Sequence, residues 1–430
     1  MLIQFNFKNY RSFKDEVSLD LSATKISEFP YHVVNVGNER ILKTAVVYGA
    51  NASGKSNIIK AFQFMTYYVL ESFAFGDNTE LKSKDKELKV IATPFEFDKE
   101  SKKDSSIFEV FFIDNGEESP KIYQYGFEIQ KSEVLKEWLY SKSRTARKYR
   151  TIFEREGKKV DIIRKSLKKY EKNIQMSLEK ESLVISLGAK LKIQQFKKVR
   201  DWFYKNEIAD YGDVFENLIR CNVLPQDFPD SQEVQNKVVR YFDSFDESIK
   251  GFRIKQTKTE NGENSYTVDT YHKMINENEN AIISLNQEAS GTLKMLSLYP
   301  ALDSVLKNGS VLFIDELNAN LHPLLVRNLV LTFLNEEINK NKAQLIFTTH
   351  DAWLLSCDLF RRDEIWFTEK DTDGVSQLYS LVDFKDEAGS KIRKDENYSK
   401  NYILGKYGAI PRLKGFDVFK GANNGDKEEW

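Results

Sequence analysis

Eight consecutive residues carry the clearest chemistry in this 430-residue sequence: Gly49, Ala50, Asn51, Ala52, Ser53, Gly54, Lys55 and Ser56. They satisfy G-x-x-x-x-G-K-[ST] at every fixed position, the pattern of a loop that cradles phosphates. The two end glycines let the backbone curl until successive N–H groups point at one anion, and a following helix adds its positive end. Gly49, Asn51, Ala52, Ser53, Gly54 and Asn57 are thus expected around a bound ATP. Lys55 would reach its β- and γ-phosphates, and the Ser56 hydroxyl would hold Mg²⁺. The flanks agree. Thr44 to Tyr48 favour a strand, and Ile58, Ile59, Phe62 and Met65 recur at helical spacing.

Further chemistry lies at the far end of the chain. The apolar run VLFIDEL (311–317) ends in Asp315 and Glu316. The first carboxylate suits Mg²⁺, directly or through water, and the second suits a water attacking a γ-phosphate. His350 closes another apolar run, QLIFTTH, where it could hold water and phosphate in line. Ser290-Gly291-Thr292 opens a helix after the strand AIISL, a hydroxyl and free N–H groups that could take a second anion. Singly, these are common strand and helix ends. Their order behind a phosphate loop makes them specific.

The elements that must position these residues alternate in kind. Residues 2–7 and 17–21 alternate apolar and polar, as half-buried strands do. After the loop helix, expected to run to about Phe75, GDNTELKSKDKELK reads as exposed, and strands are expected at 93–97, 107–113 and 122–129. The turn DNGEESP makes the last two a hairpin in an antiparallel sheet beside the nucleotide core. Ile163, Leu167, Tyr170, Ile174 and Leu178 fall on one helical face, and a second helix with Leu191, Phe196, Val199 and Phe203 is expected after Gly188. Val234, Val238, Phe242, Phe245 and Ile249 mark another helix, followed by a hairpin around TENGEN. From 281 onward, apolar strands separated by helices predict a parallel sheet covered on both faces, with chemistry at its carboxyl ends. The expected organisation is an N-terminal lobe (1–130), a basic, largely helical insertion (131–280), a C-terminal lobe (281–412) and a flexible tail (413–430).

The net charge of −1 hides an uneven distribution, because residues 131–205 hold 22 Lys/Arg against 9 Asp/Glu. That excess fits either a solvated face or a DNA- or RNA-contacting arm, with Arg144, Arg147, Lys148 and Arg150 interleaved with Tyr140 and Tyr149. Aromatics at 13% exclude a disordered composition. Cys221 and Cys357 are too few for a disulfide framework, and His32, His272, His322 and His350 are too scattered for a metal cluster. With no signal-peptide pattern and no long apolar run, the chain reads as soluble and cytoplasmic.

The four segments in this order resemble the ATP-binding-cassette ATPase heads of the SMC/RecF-like group. That resemblance implies an α/β P-loop NTPase with a mixed sheet, an N-terminal antiparallel subdomain and an inserted helical region. It also implies that Ser290 and Gly291 bind the γ-phosphate of ATP held by a second copy, two heads sandwiching two nucleotides, with 318–321 crossing the interface. The start IQFNFKNYRSF, the signature EASGT, DELNANLHP and the ending from Tyr402 through Gly405, Tyr407, Gly408 and Ala409 to Ile410-Pro411 are similar to RloA/AbiL-type ATP-binding proteins of bacterial anti-phage systems. This second resemblance covers roughly 1–130 and 280–412 and implies a separate TOPRIM-like nuclease partner; no acidic TOPRIM pattern is evident in this chain, so any nuclease activity is expected elsewhere. It also places Arg11 near the nucleotide, where residue type alone fits a surface arginine equally well. The signature departs from the transporter form LSGGQ, and the middle is too short for an SMC coiled coil. A Mg²⁺-contacting glutamine is expected, with Gln124 and Gln130 among the candidates.

The resulting expectation is an ATP hydrolase with Mg²⁺ on Ser56 and Asp315, and Glu316 and His350 acting on water. ATP-driven homo-oligomerisation would serve as a switch in phage defence (abortive infection). The alternatives are a RecF-like DNA-repair ATPase and an ATP-holding scaffold with slow turnover.

Overall fold

A computed structural model describes residues 1–75, 91–114, 120–212, 224–225, 227–258, 264–275, 279–355, 359–385 and 389–411. The stretch GDNTELKSKDKELK, the tail 413–430, Cys221, Cys357 and most of the turns DNGEESP and TENGEN fall outside them.

The N-terminal alternation folds as read. Strands β1 (Leu2–Lys8) and β2 (Val17–Asp20) pair antiparallel with Phe5 opposite Leu19 and Phe7 opposite Val17, so both apolar sets enter one core. A short ladder of β3 (Val33–Val36) and β4 (Glu39–Leu42) leads into β5 (Thr44–Gly49), buried throughout, and helix α1 (Lys55–Glu71) follows. Residues 93–97 are not the expected strand. They tie down the β1–β2 turn instead: the Arg11 N–H donates to the Thr93 carbonyl at 2.8 Å, and the Phe95 N–H donates to Asn9 Oδ1 at 3.0 Å.

The expected hairpin is β6 (Ser106–Asp114) and β7 (Lys121–Gln130). The next region corrects the sequence reading, because it is sheet rather than helix: β8 (Glu133–Ser143), β9 (Arg150–Glu156) and β10 (Lys159–Ile162) extend the antiparallel ladder. Seven strands result, in the order β10-β9-β8-β7-β6-β1-β2. The single helical face expected across 163–178 is likewise corrected. Only α2 (Glu171–Ser177) is α-helical there, and Ile163 is exposed. Helices α3 (Val184–Lys190) and α4 (Gln194–Tyr204) follow. The helix expected after Gly188 is α4, which buries Phe196, Val199 and Phe203, while Leu191 stays exposed ahead of it. Gly188 itself lies inside α3, where the Phe196 ring packs so close that an added Cβ would stand 2.2 Å from it.

Strand β11 (Glu207–Asp210) and helix α5 (Gln232–Phe242) come next. A three-stranded sheet of β12 (Ile249–Lys258), β13 (Asn264–Lys273) and β14 (Asn280–Ser284) then contains the expected hairpin. Ile249 thus opens a strand rather than extending a helix. From 281 the reading is corrected at its first strand, because β14 pairs antiparallel with β13 and does not enter the parallel sheet. The alternation then follows through α6 (Ser290–Asn308), β15 (Val311–Asp315), α7 (Pro323–Leu334) and β16 (Gln344–Thr348), with β17 (Ile365–Lys370), β18 (Ser376–Ser380) and α8 (Tyr398–Ile403) after them.

The core sheet runs β11-β15-β16-β5-β17-β18, parallel except for β18. Its two faces bury different partners. Ala45, Val47 and Phe313 face α1, while Val46, Leu312 and Ile314 join Leu296 and Leu302 of α6 and Val326 and Val330 of α7. Helix α1 lies between the two sheets, with Phe62 edge-on to Phe5 at 5.3 Å and stacked on Phe313 at 4.1 Å. This is an α/β architecture of P-loop type, with a mostly parallel, mixed core sheet and an antiparallel companion.

Candidate nucleotide-binding site

The carboxyl ends of β5, β16, β15 and β11 meet at one edge of the core sheet. The phosphate loop leaves β5 there. Gly54 sits at φ 115°, a conformation open to glycine, and a Cβ on it would stand 2.6 Å from Ser376 Oγ. A hydroxyl chain braces the loop from outside: Ser376 Oγ donates to the Ser53 carbonyl at 2.7 Å and lies 2.8 Å from Ser12 Oγ, which accepts from Asn57 Nδ2 at 2.8 Å. Ser53 Oγ meets Thr368 Oγ1 at 2.6 Å. Ser53 and Asn57 therefore shape the loop through their side chains, while Asn51 and Ala52 are exposed.

Lys55 is buried and donates to the loop carbonyls of Gly49 (2.8 Å) and Ala50 (3.0 Å). Burial pulls its ammonium below the ordinary lysine value, and Asp315 and Glu316 oppose that shift. The two acids thus lie within electrostatic reach of the lysine. Ser56 is half-buried in the first turn of α1. Asp315 is buried and accepts a short hydrogen bond from the Thr348 hydroxyl, which in turn accepts from the Glu316 N–H at 2.9 Å. Glu316 holds φ 51°, a left-handed conformation rare outside glycine. His350 is exposed at the end of β16, its Nε2 accepting from Asn318 Nδ2 at 3.2 Å.

Ser290 is exposed at the first position of α6. Gly291 packs on the loop after β15, where an added Cβ would stand 3.0 Å from the Asn320 carbonyl. Lys294, one turn along α6, is a residue that the sequence did not single out. It is buried, donates to the carbonyls of Glu316 (3.2 Å), Leu317 (2.9 Å) and Ala319 (2.7 Å), and lies 4.1 Å from the Tyr211 ring centre. Arg11 is exposed with φ 52°, its Nε 3.3 Å from the hydroxyl of Tyr10, which donates to the Lys60 carbonyl of α1 at 3.3 Å. Gln124 and Gln130 lie elsewhere. On the antiparallel sheet they donate to Glu109 (2.8 Å) and to the Lys103 carbonyl (2.5 Å).

The donor set suits Mg²⁺, since the hydroxyl of Ser56 and the carboxylate of Asp315 are hard oxygen ligands. Among the described residues no three His, Cys, Asp or Glu stand together as a metal cluster. No helix among them is long and apolar enough to cross a membrane.

No curated protein matches the chain in sequence. The solved structures similar to it include "Crystal structure of the SmcHead bound to the C-winged helix domain of ScpA", 12% identical, covering 88% of this chain and 97% of that one at a TM-score of 0.39. Another is the Smc head domain with an extended coiled coil bound to the C-terminal domain of ScpA, from Pyrococcus furiosus, 13% identical, covering 88% and 96% at a TM-score of 0.34. A family model described as "AAA domain, putative AbiEii toxin, Type IV TA system" matches residues 45–356, from the phosphate-loop strand past His350. The chain belongs to that AAA domain family of P-loop ATPases.

Proposed function

We propose that this protein binds and hydrolyses ATP, and that ATP closes two copies face to face as a switch. The observation that carries the reading is the convergence of Lys55, which opens α1, with Asp315 and Glu316 at the end of β15, about 260 residues later, beside a phosphate loop. Ser56 and Asp315 hold Mg²⁺, and Lys55 and the loop N–H groups hold the phosphates. Glu316 takes a proton from the attacking water while His350 fixes the γ-phosphate. Phosphoryl transfer asks for little beyond such positioning and charge compensation. Ser290, exposed at the start of α6, and the half-buried Gly291 beside it meet the γ-phosphate bound to the other copy.

The biological setting we propose is supported by the resemblance of both ends of the chain to RloA/AbiL-type proteins and by the AbiEii named in the family's description. The switch serves an abortive-infection system and governs a separate TOPRIM-like nuclease. Direct contact with nucleic acid through the basic stretch 131–205 is part of the same reading.

The test is the solution mass of Glu316→Gln with and without Mg-ATP. Hydrolysis stops while binding persists, so a particle of twice the 50.0 kDa chain, or a higher multiple, accumulates only with ATP. Ser290→Arg in the same background returns it to the nucleotide-free mass. A Glu316→Gln protein that binds ATP and keeps its nucleotide-free mass sinks the sandwich, and one that does not bind ATP sinks the whole reading.

A further inference from the structure

Asp210 ends β11 as the register partner of Asp315 on β15. Paired residues of parallel strands project to the same face, and alternate residues of one strand share it. On β15 that face carries Phe313, stacked on Phe62 of α1, and then Asp315. On β11 it carries Ile208, packed in the same core, and then Asp210. Both carboxylates therefore point at the helix that follows the phosphate loop.

The side-chain contacts agree. Asp210 is 5% exposed, and its Oδ2 lies 3.7 Å from Nζ of Lys60. Lys60 stands four residues beyond Ser56, one helical turn, so its side chain and the Ser56 hydroxyl lie one above the other on α1. The other oxygen, Oδ1, accepts from the Gly212 N–H at 3.0 Å. Glu316 closes in from the far side: a Cβ on Gly212 would stand 3.3 Å from Asp210 Oδ1 and 3.3 Å from the Glu316 carboxyl carbon. The missing side chain at 212 leaves the two carboxylates in one space.

We propose that Asp210 is an oxygen donor to the Mg²⁺ of the nucleotide site, directly or through a water, and that Lys60 is its counterion until the metal arrives. The proposal rests on the nucleotide reading above and deepens it. A hard divalent ion prefers a carboxylate to an ammonium as neighbour, and Mg²⁺ is commonly held by one or two carboxylates with phosphates and water. The Lys60 side chain is 31% exposed, so it can turn to solvent when the ion enters. The neighbouring strand thus adds a second carboxylate beside Asp315, which strengthens the protein's own hold on the metal.

The experiment uses the full chain with ADP and Mn²⁺ in place of Mg²⁺, following free Mn²⁺ by its electron paramagnetic resonance signal. ADP binding in EDTA is measured separately by calorimetry. Asp210→Asn, which keeps the shape, and Asp210→Ala weaken Mn²⁺ binding by about 10-fold or more. Asp210→Glu restores most of it, and Lys60→Met leaves it equal or tighter. Melting curves confirm that each variant is folded, and the isosteric Asp210→Asn decides if the alanine variant is not. Unchanged Mn²⁺ affinity in Asp210→Asn, with ADP still bound, overturns the role of Asp210 alone. Equal losses in Asp210→Asn and Lys60→Met overturn it too, since the ion pair would then be merely structural. A wild-type protein that binds no ADP overturns this proposal together with the nucleotide reading.

Discussion

Lys294 ties the start of α6 to the loop that carries Glu316, using one ammonium for three carbonyls. Burial lowers its pKa from an ordinary 10.5 to about 7, with Glu316 opposing. Because the folded value lies below the unfolded one, the unfolded chain binds the extra proton between these limits, and stability rises with pH across that window. Below about 7 both states are protonated, and the cost of burying the charge is present in full. Lys294→Met should therefore lose on the order of 1–3 kcal/mol from the orphaned carbonyls. The stability difference between wild type and variant should grow in favour of wild type from pH 7 upward, as paired melting curves would reveal. A flat difference would place the titration elsewhere. At Gly54, alanine meets both a left-handed φ of 115° and the Ser376 hydroxyl. Gly54→Ala should cost about 1–3 kcal/mol and abolish ATP binding measured by calorimetry. Full-affinity binding would show that the loop can reshape.

At the scale of elements, the runs ending in chemistry were legible because β5, β15 and β16 are apolar on both faces. Strands β8 and β9 were not. Their alternation is broken where Glu137 and Arg155 occupy inward positions beside Val134, Leu139, Ile152 and Phe153. In one dimension these charges read as a solvated, basic helix. In three dimensions the Glu137 carboxylate accepts the Val184 and Ile185 N–H groups at 2.6 and 3.1 Å, capping α3, while Arg155 lies 3.7 Å away and donates to the Ser182 carbonyl. Burial pushes the Glu137 carboxyl up, and Arg155 pulls it back. Truncating one partner leaves the other buried and uncompensated, so Glu137→Ala should cost about 3–5 kcal/mol, read by denaturant unfolding. A loss below about 1 kcal/mol would mean that the pair behaves as a surface one. Asp210 and Lys294 escaped the sequence for a related reason: each matters through a neighbour supplied by strand register or helix packing, not by spacing along the chain.

For the whole molecule, one side chain stitches the two sheets together. Gln344 of β16, fully buried, accepts the Leu2 N–H at 2.6 Å and donates to the carbonyls of Leu2 and Leu42, both at 2.9 Å. Gln344→Leu leaves three main-chain groups unpaired and should lower stability by more than about 3 kcal/mol. It should also sharpen hydrogen exchange at the Leu2 amide; protection equal to wild type would show that another group takes over. The core sheet has a further consequence, in time rather than in space. Strand β5 lies between β16 and β17, whose residues follow it by about 300 positions, so the phosphate loop has neither neighbour when it is first made. At a synthesis rate of about 5–20 residues per second, the strand waits roughly 15–60 s with both edges bare. During that interval ATP has no formed site to stabilise. Until then an apolar strand with two bare edges is open to pairing with a stranger.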